Sequence, residues 1–422
     1  MKIEAIFGPP GTGKSHTLLE RLEAESGTPA LALSHSKAAA SELTSRLPEG
    51  ADVKPSTIHA LTFQALGMNR AQVVDKKKLV DYSDVSGVPF KTDFDDELQE
   101  GDEYTSVLSY SKARKIDPME AYTHYGAPGT HERFEYFLKT YPKWKKSYGY
   151  CDFDDMLNRF LDPSVSFECP PVVAIDEAQD CSPLQWDVIA KICRHADKVY
   201  VAGDDDQAIH EWSGADPHGM IDFMERGKGK MTVLDQSFRV PRSVLALAKD
   251  AALSGIEKRV EKEFKPRDAE GKVTRYGSPM DINLSKLYKT GGGMILARDR
   301  WQLDDIRRMI NRSMIPYIGW GIASPWTSRI AQALKRGEKP EIPPHWQDFY
   351  AQADLSLPIN ITLSTIHQAK GKESHRVILN LNLPTRALSA LYQDRDAELR
   401  VLYVGLTRTS DKLILCGESP LL

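Results

Sequence analysis

Residues 8–15 have the types and spacing that hold a phosphate group, because their sequence GPPGTGKS fits the pattern GxxxxGK[ST]. Glycines at these positions let backbone N–H groups turn towards phosphate oxygens, and a following helix adds the positive end of its dipole. Lys14 would place its charge on the β- and γ-phosphates of a nucleotide, and the Ser15 hydroxyl would bind Mg²⁺. The predicted nucleotide-binding residues are Gly8, Pro9, Pro10, Gly11, Thr12, Gly13, Lys14 and Ser15.

A pair of acids ends a second apolar run, at residues 172–175. Asp176 would hold the Mg²⁺, and Glu177 is placed to take a proton from the attacking water. Two surface acids that cap a strand are the ordinary alternative, but an apolar run in a chain with a phosphate loop argues against it. A further run, at residues 199–202, leads to Gln207, whose amide can donate and accept hydrogen bonds at the γ-phosphate. Alone, this last motif is weak, because acidic turns follow many strands.

The elements that must position these residues alternate between strand and helix at the start of the chain. Strands are predicted at Lys2–Phe7 and Ala30–Ser34, and they are followed by helices at 14–25 and Lys37–Arg46. This order predicts an α/β domain with a parallel sheet. We expect that domain to comprise residues 1–67 and 151–240.

Residues 68–150 lack strand-like runs, so we expect a mostly helical insertion that splits the first domain. The acidic stretch 93–103 is predicted to be a solvated loop. A second α/β domain is predicted at residues 241–422, with a much reduced, proline-containing insertion near residues 337–358. Its predicted strands are 294–297, 361–364, 377–381 and 413–416.

The composition is typical of a globular protein, since 41% of the 422 residues are hydrophobic and 27% are charged. No apolar run approaches the roughly 18 residues of a membrane helix, so we expect a cytoplasmic protein, of a bacterium or a phage-infected host, without membrane contacts. The five cysteines form no metal-binding spacing and indicate reduced thiols. The net charge of −4 offers no overall basic field, so a nucleic-acid binder would have to gather its positive charge locally.

The motifs along the chain resemble, in their order, those of the superfamily 1 helicases of the UvrD/Rep/PcrA type. The matching segments are residues 8–15, 36–39, 56–59, 176–180, 203–215, 236–239, 364–373 and 402–408. The resemblance implies two RecA-like P-loop domains with parallel sheets, with ATP and Mg²⁺ between them and single-stranded DNA across both. The short chain would suit a compact, phage-type member.

The resemblance also implies roles for residues that spacing alone does not assign. Arg239 and Arg408 would contact the γ-phosphate, Phe238 would stack on the nucleotide base, and Glu373 would hold the ribose. Inserted arginines stabilise the charge that develops during phosphoryl transfer. The implied catalytic residues are Lys14, Asp176, Glu177, Gln207, Arg239 and Arg408.

Trp212 is the residue that the resemblance most clearly implies in DNA binding, because aromatic rings stack on bases of any sequence. The full set of implied DNA contacts is Lys37, Thr57, His59, Trp212, Thr365 and His367. Taken singly, His59 and His367 would more often be structural histidines. Residues 141–148 interleave basic and aromatic side chains, which fits either a DNA contact or an ordinary solvated helix face.

Several positions depart from the family pattern. The sequence starts at the first strand, where the family usually carries a glutamine segment that reads adenine, so we expect relaxed base selectivity. Ile58, His210 and Ser213 stand where the family has an aromatic residue, Tyr and Arg. Fewer stacking groups suggest weaker binding to DNA.

These patterns favour an ATP-dependent DNA helicase that moves 3′ to 5′ on single strands and acts at single-strand/duplex junctions. A loading or single-strand-binding protein would be a natural partner, and a monomer would suffice. Two alternatives stay open, a translocase that strips proteins from single strands without unwinding and an NTP-dependent switch that needs no DNA. A catalytically dead scaffold is disfavoured by the intact Lys14, Asp176, Glu177 and Arg408.

Overall fold

The computed structural model describes residues 1–35, 37–47, 50–91, 98–127, 129–320, 322, 324, 330, 332–333, 336–339, 341–342, 344–352, 354 and 357–422. Within these ranges, the side chains of residues 37, 38, 42, 345, 348, 349, 386, 390 and 393 are not described. The chain divides into two compact units. The first comprises Met1–Gly8 and Lys14–Leu234, and the second comprises Pro9–Gly13 and Asp235–Leu422.

Strands and helices alternate along most of the chain. The strands are β1 (Lys2–Phe7), β2 (Ala30–Ser34), β3 (Val53–Thr57), β4 (Val172–Asp176), β5 (Lys198–Gly203), β6 (Lys230–Val233), β7 (Lys272–Tyr276), β8 (Gly293–Ala297), β9 (Tyr317–Trp320), β10 (Ile361–Thr365), β11 (Ser374–Asn380) and β12 (Thr409–Cys416). The helices are α1 (Lys14–Glu23), α2 (Lys37–Arg46), α3 (Ile58–Ala65), α4 (Lys76–Ser86), α5 (Glu100–Arg114), α6 (Pro118–Tyr125), α7 (His131–Tyr148), α8 (Phe153–Leu161), α9 (Pro183–Cys193), α10 (Gly219–Arg226), α11 (Arg242–Ala251), α12 (Leu284–Lys289), α13 (Asp304–Arg312), α14 (Gln347–Gln352), α15 (Thr385–Gln393) and α16 (Arg395–Leu406).

The first unit is built on a six-stranded sheet in the order β3-β2-β4-β5-β1-β6, with every pairing parallel. The central strands are buried along their length, which explains their unbroken apolar sequences. In this order β5 alone separates β1 from β4, and all three strands point the same way. The residues that end or follow β1, β4 and β5 therefore lie close together at the carboxyl end of the sheet.

The second unit has a six-stranded parallel sheet in the order β7-β12-β11-β8-β10-β9. Its core lies between the sheet and helices such as α13, and includes Ile295, Leu303, Ile310 and Leu363. The predicted α/β class with two parallel sheets is therefore confirmed. The reduced insertion predicted near residues 337–358 lies partly outside the described residues.

The sequence analysis missed four strands, and all four lie at sheet edges. They are β3, β6, β7 and β9. Edge strands pack on one side only, and most residues of β6 and β7 are at least partly exposed. Such strands need no continuous apolar run, so they lack the pattern that identified the central strands.

The helical insertion in the first unit is confirmed, as helices α4–α7. Its core is largely aromatic, and includes Tyr82, Tyr104, Phe134, Phe137, Tyr141 and Trp144. Residues 141–148 therefore fit neither interpretation fully, because Tyr141, Trp144 and Lys145 are buried while their neighbours are exposed.

The predicted acidic loop is wrong for its last residues, while residues 92–97 lie outside the described part of the chain. Glu100, Asp102 and Glu103 form the first turn of α5, where negative charge stabilises the helix dipole. The Asp102 carboxylate accepts the backbone N–H groups of Lys91 and Gln99, at 3.0 and 2.9 Å. Among the described residues, no helix is long and apolar enough to cross a membrane.

Candidate nucleotide and nucleic-acid sites

The loop after β1 has the backbone conformation that its glycines permit. Gly11 and Gly13 have φ values of 74° and 84°, in the left-handed region that favours glycine. Helix α1 begins at Lys14, so its positive end faces the loop. The Lys14 ammonium donates to the carbonyl oxygen of Gly8 at 2.6 Å. The charge of Lys14 is thus held at Gly8, the first residue of the phosphate-binding pattern.

Ser15 and Asp176 form the connection between the loop and the second apolar strand. The Ser15 hydroxyl donates to a carboxylate oxygen of Asp176 at 2.8 Å. Asp176 ends β4 and is almost fully buried. Burial and the adjacent charge of Glu177 raise the pKa of Asp176 to about 6, against the effect of the Ser15 hydrogen bond. Two oxygen ligands at this spacing fit Mg²⁺, which prefers a hydroxyl or carboxylate together with phosphate oxygens.

Gln179 joins two strand-end segments, a role that the sequence analysis did not assign. Its amide nitrogen donates to the Glu177 carboxylate at 2.5 Å, and its amide oxygen accepts the Asp204 backbone N–H at 3.0 Å. A Cβ atom on Gly203 would lie 2.7 Å from that amide oxygen, so the glycine leaves room for the bridge. Glu177 itself has a left-handed φ of 52°. Its side chain is therefore oriented by a fixed turn and by a buried amide.

Gln207 lies in the turn after β5, where the sequence predicted it. Its side chain is buried, and its amide nitrogen donates to the Asp204 carboxylate at 2.6 Å. Because β4 and β5 are neighbours in the sheet, Glu177 and Gln207 follow adjacent strands. The structure therefore brings the two acidic segments of the first unit together at the carboxyl ends of β4 and β5.

In the second unit, Pro9–Gly13 pack against the segment that follows residue 235. The Ser237 hydroxyl donates to the Pro10 carbonyl at 2.8 Å, and the Phe238 N–H donates to the Gly11 carbonyl at 2.8 Å. A Cβ atom on Gly11 would lie 2.4 Å from Cβ of Arg239. The Phe238 ring is 74% exposed, and nothing in the described structure covers most of it.

Both arginines that the resemblance implies at the γ-phosphate are engaged by groups of the second unit. Arg239 forms an ion pair with Glu373, the residue implied at the ribose. Arg408 is buried, and its guanidinium donates to the Val404 carbonyl at 2.9 Å and to the Lys372 carbonyl at 3.4 Å.

Two of the implied DNA contacts lie at the end of β3 and two residues after it. The Thr57 hydroxyl accepts the Ala60 N–H at 3.1 Å and caps helix α3. His59 is half-buried, and burial, with the nearby His35, lowers its pKa to about 4. The His59 ring meets the edge of Phe153 at 5.5 Å between centroids. The side chain of Lys37 lies outside the described residues.

Phe153 is a candidate contact that the sequence analysis missed. It is the first residue of α8 and is 56% exposed, and its ring contacts the half-buried His59. Three aspartates surround it within four positions, and the sequence analysis assigned no role to this segment. An exposed aromatic ring beside an implied DNA contact is the signal that would have revealed it.

Trp212 is 59% exposed and stands on a turn supported by the helical insertion. The Tyr125 hydroxyl donates to the Trp212 carbonyl, and Arg114 donates to the Ala215 carbonyl at 2.9 Å. The His210 ring lies 6.3 Å from Trp212. The turn is therefore held from both of its ends while the indole ring faces solvent.

The implied contacts in the second unit lie at the end of β10 and two residues after it. Thr365 ends that strand and is buried, and its hydroxyl accepts the Gln368 N–H at 3.3 Å. His367 is partly exposed.

Comparison with known families identifies the chain. Residues 4–228, more than half of the sequence, match the UvrD/REP helicase N-terminal domain. The chain belongs to the UvrD/REP helicase family. Residues 350–419 of this UvrD/REP family member also match the UvrD-like helicase C-terminal domain. The predicted family resemblance is therefore confirmed.

Curated UvrD/REP relatives are longer than this member of the family. The chain is 24% identical over 219 residues to the putative ATP-dependent DNA helicase YjcD of Bacillus subtilis (strain 168), a match that covers 46% of this chain and 28% of that protein. It is 26% identical over 284 residues to the ATP-dependent DNA helicase UvrD2 of Mycobacterium tuberculosis (strain ATCC 25618 / H37Rv), covering 58% of this chain and 40% of that protein. The chain thus spans less than half of the length of either relative.

Among solved structures, the Arterivirus nonstructural protein 10 helicase aligns with 98% of this UvrD/REP family member and with 59% of its own chain, at 14% identity. The TM-score of 0.39 is too low to carry an argument. The fold assignment depends on the two parallel sheets and on the family match.

Proposed function

We propose that this chain is an ATP-dependent DNA helicase that moves on single-stranded DNA. The observation that carries the proposal is the 2.8 Å hydrogen bond between Ser15 and Asp176, which joins the residue after the phosphate-loop lysine to the carboxylate that ends β4. A helix N-terminus, a lysine and a hydroxyl–carboxylate pair at one sheet edge suit a nucleoside triphosphate with Mg²⁺.

The residues of the first unit would share the chemistry as follows. Lys14 would exchange the Gly8 carbonyl for phosphate oxygens of the nucleotide. Ser15 and Asp176 would hold a Mg²⁺ ion, whose charge would offset that of the phosphates. Glu177 orients the attacking water and accepts its proton. Gln179 keeps the Glu177 carboxylate in place, since it binds that carboxylate at 2.5 Å.

The remaining nucleotide contacts are proposed from the family resemblance. Arg239 would exchange Glu373 for the γ-phosphate, which would free Glu373 for the ribose. Arg408 and Gln207 would contact the γ-phosphate, and Phe238, which is 74% exposed, would stack on the base. Arginines that pair with the transferred phosphate stabilise the charge of the transition state.

Single-stranded DNA would bind along exposed aromatic and polar groups of both units. Trp212 and Phe153 are exposed rings suited to base stacking. The further proposed contacts are Lys37, Thr57, His59, Thr365 and His367. The 3′ to 5′ direction is proposed from the family resemblance alone.

ATP hydrolysis with and without an oligo(dT) strand tests the proposal. We expect strong stimulation by DNA in the wild type, loss of all hydrolysis in Lys14→Ala, and loss of the stimulation in Trp212→Ala. Tyr136→Ala is the matched control, because this tyrosine is 46% exposed on α7 and has no proposed contact. Hydrolysis that DNA does not stimulate would overturn the proposal in favour of an NTP-dependent switch.

Strand displacement on duplexes with a single 3′ or 5′ tail tests the finer claims. Unwinding of the 3′-tailed duplex alone is the expected result for a 3′ to 5′ helicase. DNA-stimulated hydrolysis without displacement of either duplex would identify a translocase that does not unwind.

A further inference from the structure

Three neighbouring strands of the second sheet end beside large ring side chains. The strands β8, β10 and β9 are adjacent and parallel, with Ala297 paired to Thr365 and Ser364 paired to Trp320. Trp320 is the last residue of β9, His367 follows β10 by two residues, and Trp301 follows β8 by four. The backbone N–H of Ile366 also donates to the Ala297 carbonyl at 2.9 Å. The carboxyl ends of these strands therefore carry two tryptophans as well as the proposed DNA segment.

Trp301 is exposed although the turn that carries it is well anchored. The indole is 62% exposed, whereas Leu303, two residues on, is completely buried in the core. The Gln302 side chain accepts the Asp299 N–H at 2.9 Å and donates to the Asn382 carbonyl at 2.6 Å. A tryptophan on a flexible loop could be exposed by chance. Here Gln302 is fixed by two hydrogen bonds and Leu303 by burial. The turn thus presents the ring to solvent.

Among the described residues, the charges around this turn balance, and an exposed arginine stands beside the tryptophan. Arg300 is exposed next to Trp301. The nearby acids are paired with other basic groups, so they offer little repulsion. These pairs are Asp299 with Arg298, Asp304 with Arg307, Asp305 with Arg308 and Glu398 with Arg298.

Trp320 differs from Trp301 because one face of its ring is already occupied. The Lys372 ammonium lies 3.6 Å from the centroid of the Trp320 ring, a cation–π contact that adds a positive charge at the same edge. Trp301 is consequently the tryptophan that offers its ring to a ligand.

We propose that Trp301 is a base-stacking residue for single-stranded DNA, with Arg300 paired to an adjacent phosphate. The inference rests on the proposed function and adds a contact to it. Stacking on tryptophan needs no base sequence, and a neighbouring arginine binds the backbone that every base shares. This residue would compensate for the aromatic residue that Ile58 replaces in the first unit.

Binding of a fluorescent oligo(dT) strand, followed by anisotropy, tests the proposal on the full chain. We expect Trp301→Ala to weaken binding about tenfold, and Trp301→Phe to retain most of the affinity because a ring remains. Arg300→Gln should reduce the slope of log affinity against log salt by about one. Tyr392→Ala is the control, because this tyrosine is 93% exposed on α15, away from the proposed contacts in sequence.

A second readout reports on the ring itself. Oligo(dT) should quench the intrinsic tryptophan fluorescence less in Trp301→Phe than in the wild type. If Trp301→Ala binds oligo(dT) as the wild type does, the stacking role is wrong and the proposed function stands. If the wild type itself fails to bind oligo(dT), the proposed function fails and this inference falls with it.

Discussion

The Ser15 hydroxyl and the Asp176 carboxylate meet at 2.8 Å although 161 positions separate them in the chain. Ser15 lies in the first turn of α1, and Asp176 ends β4. The sheet order brings them together, since only β5 separates β1 from β4. This pair converts a phosphate loop and a distant acid into one candidate site for Mg²⁺ and nucleotide.

Asp176→Asn should weaken the use of Mg²⁺. The amide keeps the size of the side chain but loses the charge, so the half-saturating Mg²⁺ concentration for ATP hydrolysis should rise roughly 10- to 100-fold. A Mg²⁺ titration of hydrolysis measures this. Asp222→Asn, at an exposed aspartate of α10, should leave the titration unchanged. Equal Mg²⁺ dependence in Asp176→Asn and wild type would remove Asp176 from the site.

Glu177→Gln should stop turnover while ATP still binds. Loss of a general base typically costs 10²–10⁴-fold in rate, and the substitution leaves the phosphate loop intact. Gln179→Ala should give a smaller loss, because Glu177 keeps its charge but loses the amide that holds it at 2.5 Å. Single-turnover hydrolysis and binding of a fluorescent ATP analogue separate the two effects. Turnover that survives Glu177→Gln would show that another group accepts the proton.

Gly11→Ala should disturb the loop by steric overlap as well as by backbone strain. Its Cβ would lie 2.4 Å from Cβ of Arg239, at a φ of +74°. Gly27→Ala is the matched control, because Gly27 has a φ of +82° and nothing within 4 Å of its Cβ. Both changes carry the strain of about 1–2 kcal/mol for a left-handed residue, and Gly11→Ala alone adds the overlap. The unfolding temperature and the ATP affinity should fall further in Gly11→Ala than in Gly27→Ala. Equal losses in the two variants would show that the steric overlap has no effect.

Lys145→Met should destabilise the helical insertion. The Lys145 ammonium is buried and forms ion pairs with Asp152 and Asp155, which also bind Lys112 at 3.2 and 2.7 Å. Removing one cation leaves the carboxylates underpaired in a low-dielectric site, which costs about 3–5 kcal/mol. Urea unfolding measures the loss. Lys146→Met is the control, because Lys146 is the exposed neighbour and its loss should change the free energy of unfolding little. Similar losses in both variants would indicate that the buried ion pairs add no stability.

His59 should make the protein less stable in mild acid. Burial lowers the pKa of His59 to about 4, whereas the unfolded chain has the ordinary value of 6.5. Between these values the unfolded state binds more protons, so the stability contributed by His59 is complete above pH 6.5 and is lost as pH falls towards 4. Over this window the loss is on the order of 3 kcal/mol.

Urea unfolding at pH 7.5 and pH 4.5 checks this for the wild type and His59→Gln. The variant should lose less stability than the wild type between the two pH values. His16→Gln is the control, since the side chain of His16 is 75% exposed. The same pH dependence in His59→Gln and wild type would show that His59 is not held neutral.

The sequence by itself determined the phosphate loop, the acids after β4, the central strands and the family. A central strand is buried on both faces, so it must be continuously apolar, and a phosphate loop must use glycine and lysine at set intervals. The edge strands β3, β6, β7 and β9 escaped detection because one side of each lacks a neighbour, and their sequences are correspondingly mixed.

Only the tertiary structure decided which side chains meet and which rings face solvent. Gln179 could be recognised as a bridge only once β4 and β5 were neighbours, and Phe153 and Trp301 only once their exposure was known. For residues 141–148 the sequence left a DNA contact or a solvated helix face open, whereas Tyr141 and Trp144 belong to the core of the helical insertion. Burial of an aromatic residue depends on what packs against it, and those neighbours come from distant parts of the chain.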